Sequence, residues 1–173
     1  MAAIVLAPLQ LARDLDSVEA VYCRAADYLA LESGLTPAEA AHAFFEDRPP
    51  ASIEVPLKFG IVGDGGELVA IGDLAFDYPE RGDVYLGLLL LVPAARGAGL
   101  GSAILSEIQR FARQRGAARL LLGVIDDNTR ARAFWERQGF KLAQTSGPHA
   151  LGHRRHIVHR LILSLADTGS DCP

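Results

Sequence analysis

Apolar residues recur along the chain in two periods, separated by turn residues. Between positions 14 and 33, Leu15, Val18, Val21, Tyr22, Ala25 and Leu29 fall three and four apart, which predicts one amphipathic helix stopped by Gly34. Thr36-Pro37-Ala38-Glu39 starts the next helix. Thr36 can cap it, Pro37 suits its first turn, Glu39 completes a capping box, and Arg48-Pro49-Pro50 ends it. A short strand is expected near 4–10. Runs at 57–62, 67–76 and 83–92 are joined by Gly63-Asp64-Gly65-Gly66 and by Tyr78-Pro79-Glu80-Arg81-Gly82, which is hairpin chemistry and predicts an antiparallel meander. The third run is apolar nearly throughout, as befits a strand covered on both faces.

After Pro93 the pattern changes. Six residues, RGAGLG, hold three glycines, and a helix face then begins with Leu100, Ile104, Ile108, Phe111 and Ala112 and ends at Gly116. A buried strand is expected at 118–125, a helix at 128–138, and strands near 140–145 and 153–163. The order βααβββαβαββ puts helices on both faces of one mixed sheet. The strand–helix–strand segment 85–125 requires parallel neighbours with a right-handed crossover. The fold class is therefore α/β, a mixed and mostly antiparallel twisted sheet of six to seven strands flanked by about four helices. One domain over 1–165 is expected, followed by a mobile tail at 166–173.

Composition narrows the function. The 173 residues are 50% hydrophobic and 22% charged, as in a folded globular chain, and the net charge of −4 argues against a nucleic-acid surface. Cys23 and Cys172 have neither metal nor disulfide spacing. Four of the five histidines, His149, His153, His156 and His159, cluster late in the chain. On a strand His153 and His159 point to opposite faces, so no metal site is expected, and a solvated hairpin with one substrate-facing histidine is. No apolar stretch reaches the roughly 18 residues that span a bilayer. The first residues lack the basic start of a leader, so no membrane is expected and the cytoplasm is the default.

The glycines admit several readings. Backbone N–H groups at a helix start have no partner within the helix, the dipole there is positive, and glycine lets a phosphate approach. Arg96 adds a charged donor. A plain strand-to-helix turn is the bland alternative. A Walker loop would need Lys after its last glycine, where Ser102 follows Gly101. A dinucleotide loop needs G-x-G-x-x-G; the spacing here is G-x-G-x-G, although Asp126 follows the next strand as such a site would want.

Arg96-Gly97-Ala98-Gly99-Leu100-Gly101 resembles the R/Q-x-x-G-x-G/A signature of the GNAT superfamily of acyl-CoA-dependent N-acyltransferases. NTRARAFWERQGF, at 128–140, resembles that superfamily's second motif, N-x-x-A-x-x-F-Y-x-x-x-G-F. The resemblance covers about 83–140. It implies an N-acetyltransferase that uses acetyl-CoA as co-substrate, acts on a small-molecule or peptide amine and forms a homodimer as such folds commonly do. Amides of Arg96, Gly97, Ala98, Gly99, Leu100, Gly101 and Ser102 would bind the pyrophosphate. The backbone of Leu89, Leu90 and Leu91 would pair with the pantetheine arm and supply an oxyanion donor, on a strand that splays from its neighbour. Asn128 would lie near the pantetheine, and it also suits a helix cap.

The chemistry departs from the family pattern. Trp135 stands at the cofactor side where the family carries a tyrosine acid, and an indole N–H does not surrender a proton. The base is unassigned. Tyr85 falls where some members carry glutamate, Asp83 lies two residues earlier on the same face, and Asp73 and Asp77 are further candidates. Each also has a plain structural reading. Tyr22, Tyr28, Phe44 and Phe45 could line an acceptor pocket or simply pack. Two other classes stay open: a catalytically silent acyl-CoA-binding module, and a nucleotide-phosphate binder.

Overall fold

The three apolar runs form the expected meander: β2 (Leu57–Val62), β3 (Leu68–Phe76) and β4 (Asp83–Leu91) pair antiparallel in sequence. The short β1 (Ala7–Pro8) extends the sheet beyond β2. On the other side β5 (Arg119–Ile125) lies parallel to β4, followed by β7 (Arg154–Ser164) and the edge strand β6 (Lys141–Leu151). The result is a seven-stranded, mostly antiparallel mixed sheet. This computed structural model describes residues 4–50 and 54–166, so Cys172 and the tail beyond 166 lie outside the described residues, as does part of the proline-rich loop.

Among the described residues five helices accompany the sheet: α1 (Leu11–Arg24), α2 (Ala26–Glu32), α3 (Pro37–Glu46), α4 (Leu100–Gln114) and α5 (Thr129–Arg137). The single helix expected over 14–33 is two. The chain breaks at Ala25, whose φ of −105° and ψ of 37° leave the helical region, with no glycine or proline to announce it. Ala25 is fully buried, and its small side chain lets both helices stay packed on one core. The capping box of α3 forms as expected: Thr36 Oγ1 accepts from the Glu39 amide at 3.3 Å, and Glu39 Oε2 accepts from the Thr36 amide at 2.8 Å. β6 outruns its expected end at 145. Pairing with β7 slips between Ser146 and His149 and then resumes, with Pro148, which has no N–H to donate, at the slip.

Each face of the sheet has its own core. Ile104, Leu105 and Ile108 of α4, with Trp135 of α5, pack on one face. Val18, Val21, Leu29, Ala41 and Phe44 of the three N-terminal helices pack on the other. Alternation along β4 changes phase midway. Val84 and Leu86 join the α4 core, but so do Leu89 and Leu91, while Leu88, Leu90 and Val92 face the N-terminal helices. The cause is a bulge: Asp73 opposes Leu88 and Leu74 opposes Leu86, which leaves Gly87 unmatched on β4.

Candidate active site

β4 and β5 pair only through Leu86 and Leu122. Beyond that point β4 continues to Leu91 along β3, and β5 continues through Gly123, Val124 and Ile125 along β7. The two parallel strands therefore diverge, and their facing backbone edges are left without each other over the second half of β4. The bulge at Gly87 begins this divergence, since added twist turns the strand away from its neighbour. Of the expected pantetheine-pairing groups, the Leu91 carbonyl already accepts Arg96 Nε at 2.9 Å. Leu89 and Leu90 carry no such side-chain bond among the described residues.

The glycine loop sits where β4 ends. A short 3₁₀ turn, Pro93–Ala95, uses the Arg96 amide, which donates to the Pro93 carbonyl at 3.1 Å. Among the described residues, the amides of 97–102 donate to no backbone carbonyl, and the first bond of α4 runs from Ala103 to Gly99 at 3.1 Å. Gly99 is left-handed at φ 84° and Gly97 at 85°, and a Cβ on either would meet only open space. Six amides at the positive end of α4 are thus left without backbone partners, donors that suit an anion such as a diphosphate. Arg96 departs from expectation. Its amide is closed by the turn, and its guanidinium forks onto Asp27 of α2. The loop is therefore tied to the N-terminal helices, and α4 provides the positive end by its backbone.

Around this loop the second motif is structural as well. Asn128 Oδ1 accepts from the Ala131 amide at 3.1 Å, which caps α5. Ser102 Oγ accepts from Gln138 Nε2 at 3.1 Å, so it joins the start of α4 to the end of α5. Trp135 is 7% exposed and packs edge-on against Phe134 and Phe140. Its ring belongs to the α4 core.

The acid and base candidates separate clearly. Asp83 lies at the opposite end of β4 from the glycine loop, where its carboxylate meets Arg119 Nε at 2.6 Å and Nη2 at 2.8 Å. That bidentate pair anchors the start of the parallel strands, so Asp83 is not available as the base expected from sequence. Asp77 accepts from the Gly82 amide at 2.7 Å and closes the turn. Tyr85 does reach the divergence. Its hydroxyl lies 2.9 Å from where a Cβ on Gly123 would stand, and Arg160 sits over its ring at 6.0 Å. Burial pushes its phenol above the ordinary value, against the pull of Arg160, so it stays neutral and acts as a hydrogen-bonding wall.

Asp73, a minor candidate in the sequence, occupies the central position. Its Oδ2 pairs with the buried Lys58 Nζ at 2.8 Å, and Lys58 also donates to the Asp47 carbonyl at 3.0 Å. Its Oδ1 is buried with no hydrogen-bond partner among the described residues. Burial pushes the Asp73 carboxyl upward with help from Asp47, while Lys58 and a hydrogen bond from the Leu88 backbone pull it back. This carboxylate fits only because residue 87 is glycine, since a Cβ there would stand 2.3 Å from Asp73 Oδ1. Gly87→Ala is expected to push the carboxylate off Lys58 and to cost about 1–3 kcal/mol, read as a lower urea midpoint. An unchanged midpoint would contradict this packing.

Two cavities flank Asp73 and Gly87. The larger, about 450 Å³, is bounded by α1, α2, α3 and the tip of the β6–β7 hairpin. The smaller, about 190 Å³, is lined by Tyr78, Tyr85 and the Arg48-Pro49-Pro50 segment. Tyr22, Tyr28 and Phe44 line the larger one while also serving the helical core. The late histidines do not face either cavity. His156 bonds the Glu32 carbonyl oxygen at 2.7 Å, and His159 bridges Asp126 and Thr145 at 2.7 and 2.9 Å. No group of three metal-ligating side chains occurs among the described residues.

Glu32 also borders the larger cavity. Burial pushes its carboxyl above the ordinary value, outweighing the Tyr28 hydroxyl and His156, with Asp47 adding to the rise. A raised folded value means that the group's stabilising contribution is complete below the unfolded value of about 4.3 and is lost as pH rises through the folded one. Ionised Glu32 thus opposes folding at neutral pH. Glu32→Gln is expected to melt above wild type near pH 7, with the gap closing toward pH ~4. Melting curves across that range test the sign.

A βαβ crossover whose parallel strands part beside an open helix N-terminus defines a class, the acetyltransferase fold. The model of the Acetyltransferase (GNAT) family matches residues 21–140, and the chain belongs to that family. A mycothiol acetyltransferase from Beutenbergia cavernae is 32% identical over 85 residues, 49% of this chain and 29% of that protein. The chain thus spans under a third of that relative's length. An acetyltransferase from Thermus thermophilus superposes with a TM-score of 0.73 at 27% identity, over 94% of this chain and 97% of that one. A probable GNAT acetyltransferase from Chromobacterium violaceum reaches 0.77 at 16% identity, over 95% and 84%, and shows the shared fold. No helix among the described residues is long and apolar enough to cross a membrane.

Proposed function

We propose that the protein transfers the acetyl group of acetyl-CoA to a primary amine by direct attack on the thioester, in the cytoplasm. The observation that carries this reading is the set of free amides at 97–102 beside the parting of β4 and β5. These amides hold the pyrophosphate. The backbone of Leu89 and Leu90 meets the pantetheine arm along the edge that β5 leaves open. When bound, acetyl-CoA supplies an electrophilic carbonyl at the bulge.

The chain's own residues do the rest. A β4 amide beyond Gly87 faces the developing oxyanion, fixed in place by β3 pairing. Asp73, at the same point of the strand, takes the proton that the attacking ammonium must lose, relayed through water in the cavity that its side chain lines. Tyr85 excludes water on the far side. Trp135 is held in the core, so the thiolate leaves with its electron pair and without a side-chain acid, and it takes up the second nitrogen proton, through water, as the amide forms. A coenzyme A thiol has ordinary thiol acidity, which makes that departure accessible near neutral pH.

The test is thiol release from acetyl-CoA with a panel of amines, after calorimetry has shown that coenzyme A binds. Release that depends on the amine, with a matching N-acetylated product, supports the reading. Binding without release from any amine would instead favour a silent acyl-CoA-binding module, a reading that rests on the burial of Trp135. Displacement of CoA by NAD or ATP would favour a nucleotide-phosphate binder.

A further inference from the structure

The larger cavity has an uncompensated charge. Four carboxylates line it, Glu32, Glu46, Asp47 and Asp73, and no lysine, arginine or histidine is among the described residues that do. Lys58 pairs with Asp73 Oδ2, donates to the Asp47 carbonyl and lies over the Phe44 ring, so one cation meets four carboxylates. Asp73 is 8% exposed and its Oδ1 is still without a partner among the described residues. Glu46 and Asp47 are exposed, Glu32 is half-buried and Asp73 is buried against Lys58, so a cationic ligand would balance the remaining negative charge. Phe44 and the tyrosines Tyr22 and Tyr28 form the apolar part of the same wall. Such faces suit an alkyl chain and an ammonium over a ring.

The carboxylates are not all at one place. Asp73 and Gly87 mark the inner end, where β4 parts from β5. Glu32 sits on α2, where it accepts from the Tyr28 hydroxyl, and its backbone carbonyl meets His156 of β7. The cavity therefore has a negative group on β3 and another on its helical wall, and aromatic residues share its lining.

We propose that the acceptor is a small alkyl diamine or polyamine, with its reactive nitrogen at Asp73 and a second ammonium at Glu32. This rests on the reading of the chain as an amine acetyltransferase. Anionic acceptors are disfavoured by the same wall. Glu32 is then a specificity residue: it touches the part of the substrate that does not react.

The experiment compares 1,4-diaminobutane with butylamine, which has the same carbon chain and one charge fewer. With wild-type protein, the diamine is expected to bind about tenfold more tightly in calorimetry and to show at least about tenfold higher kcat/KM. Glu32→Gln should cut the diamine-to-butylamine ratio about tenfold, mainly through KM for the diamine. Glu46→Gln, at the exposed end of α3, should lower the ratio less, and melting curves check that both variants are folded. Equal kcat/KM for the two amines in wild type overturns the proposal, as does a Glu32→Gln variant that affects both amines alike. If neither amine is acetylated although coenzyme A binds, the acetyltransferase reading fails. Calorimetry then still decides the charge question: selective diamine binding sustains it, and equal or absent heats for both amines overturn it.

Discussion

Gly99→Asp is expected to abolish coenzyme A binding while leaving the protein folded. Gly99 is the residue before α4, left-handed at φ 84°, and nothing stands within 4 Å of the place where its Cβ would be. Aspartate tolerates that backbone better than most residues and favours the position before a helix, so the fold survives at about 1–2 kcal/mol. The new carboxylate then enters the open space beside the unbonded amides. Two like charges about 4 Å apart at an effective dielectric near 20 repel by about 4 kcal/mol, roughly a thousandfold in affinity. Calorimetry with coenzyme A reads this directly. An unchanged Kd in a folded variant would remove the loop from the binding site.

Asp73→Asn should act on both stability and rate. It takes from Lys58, 7% exposed, its one carboxylate partner, leaving neutral acceptors and the Phe44 ring, and a buried cation without its counter-ion costs about 3–5 kcal/mol. The double variant Lys58→Met, Asp73→Asn removes both charges and should be more stable than Asp73→Asn alone. Turnover should fall about 10²–10³-fold in the single variant and stay low in the double one, since the proton acceptor is gone from each. The pH profile carries a further sign. Burial raises the Asp73 carboxyl, so wild-type kcat/KM should fall on the acid side at a pH above the ordinary aspartate value of about 3.9. That limb should vanish in Asp73→Asn, leaving only the limb due to the amine. Activity retained in the double variant with the acid limb intact would exclude Asp73 as the base.

Legibility followed the range of the forces involved. The α3 capping box, the meander and the α4 face were readable because each depends on residues a few positions apart. The break at Ala25 was not, because alanine favours helix and only packing against the sheet imposes the bend there. The strand expected near 140–145 runs on to Leu151, because pairing with β7 resumes beyond Pro148. Among the site candidates, Asp83 and Asp73 are both aspartates on adjacent strands. Their difference lies in Arg119 and Lys58, which approach from β5 and β2, and no local pattern encodes that.

What the chain determines by itself is the backbone of the proposed binding half of the site. Glycine spacing, the apolar strand before it and the helix after it fix where unpaired amides must lie, since those are local properties of the backbone. What only the tertiary structure decided is the chemical half. The Gly87 bulge, Asp73 in the space that it leaves, the removal of Trp135 into the core and the four carboxylates around one cavity are all meetings of distant segments. A buried charge takes its character from whatever the fold brings against it, and that is written in the packing.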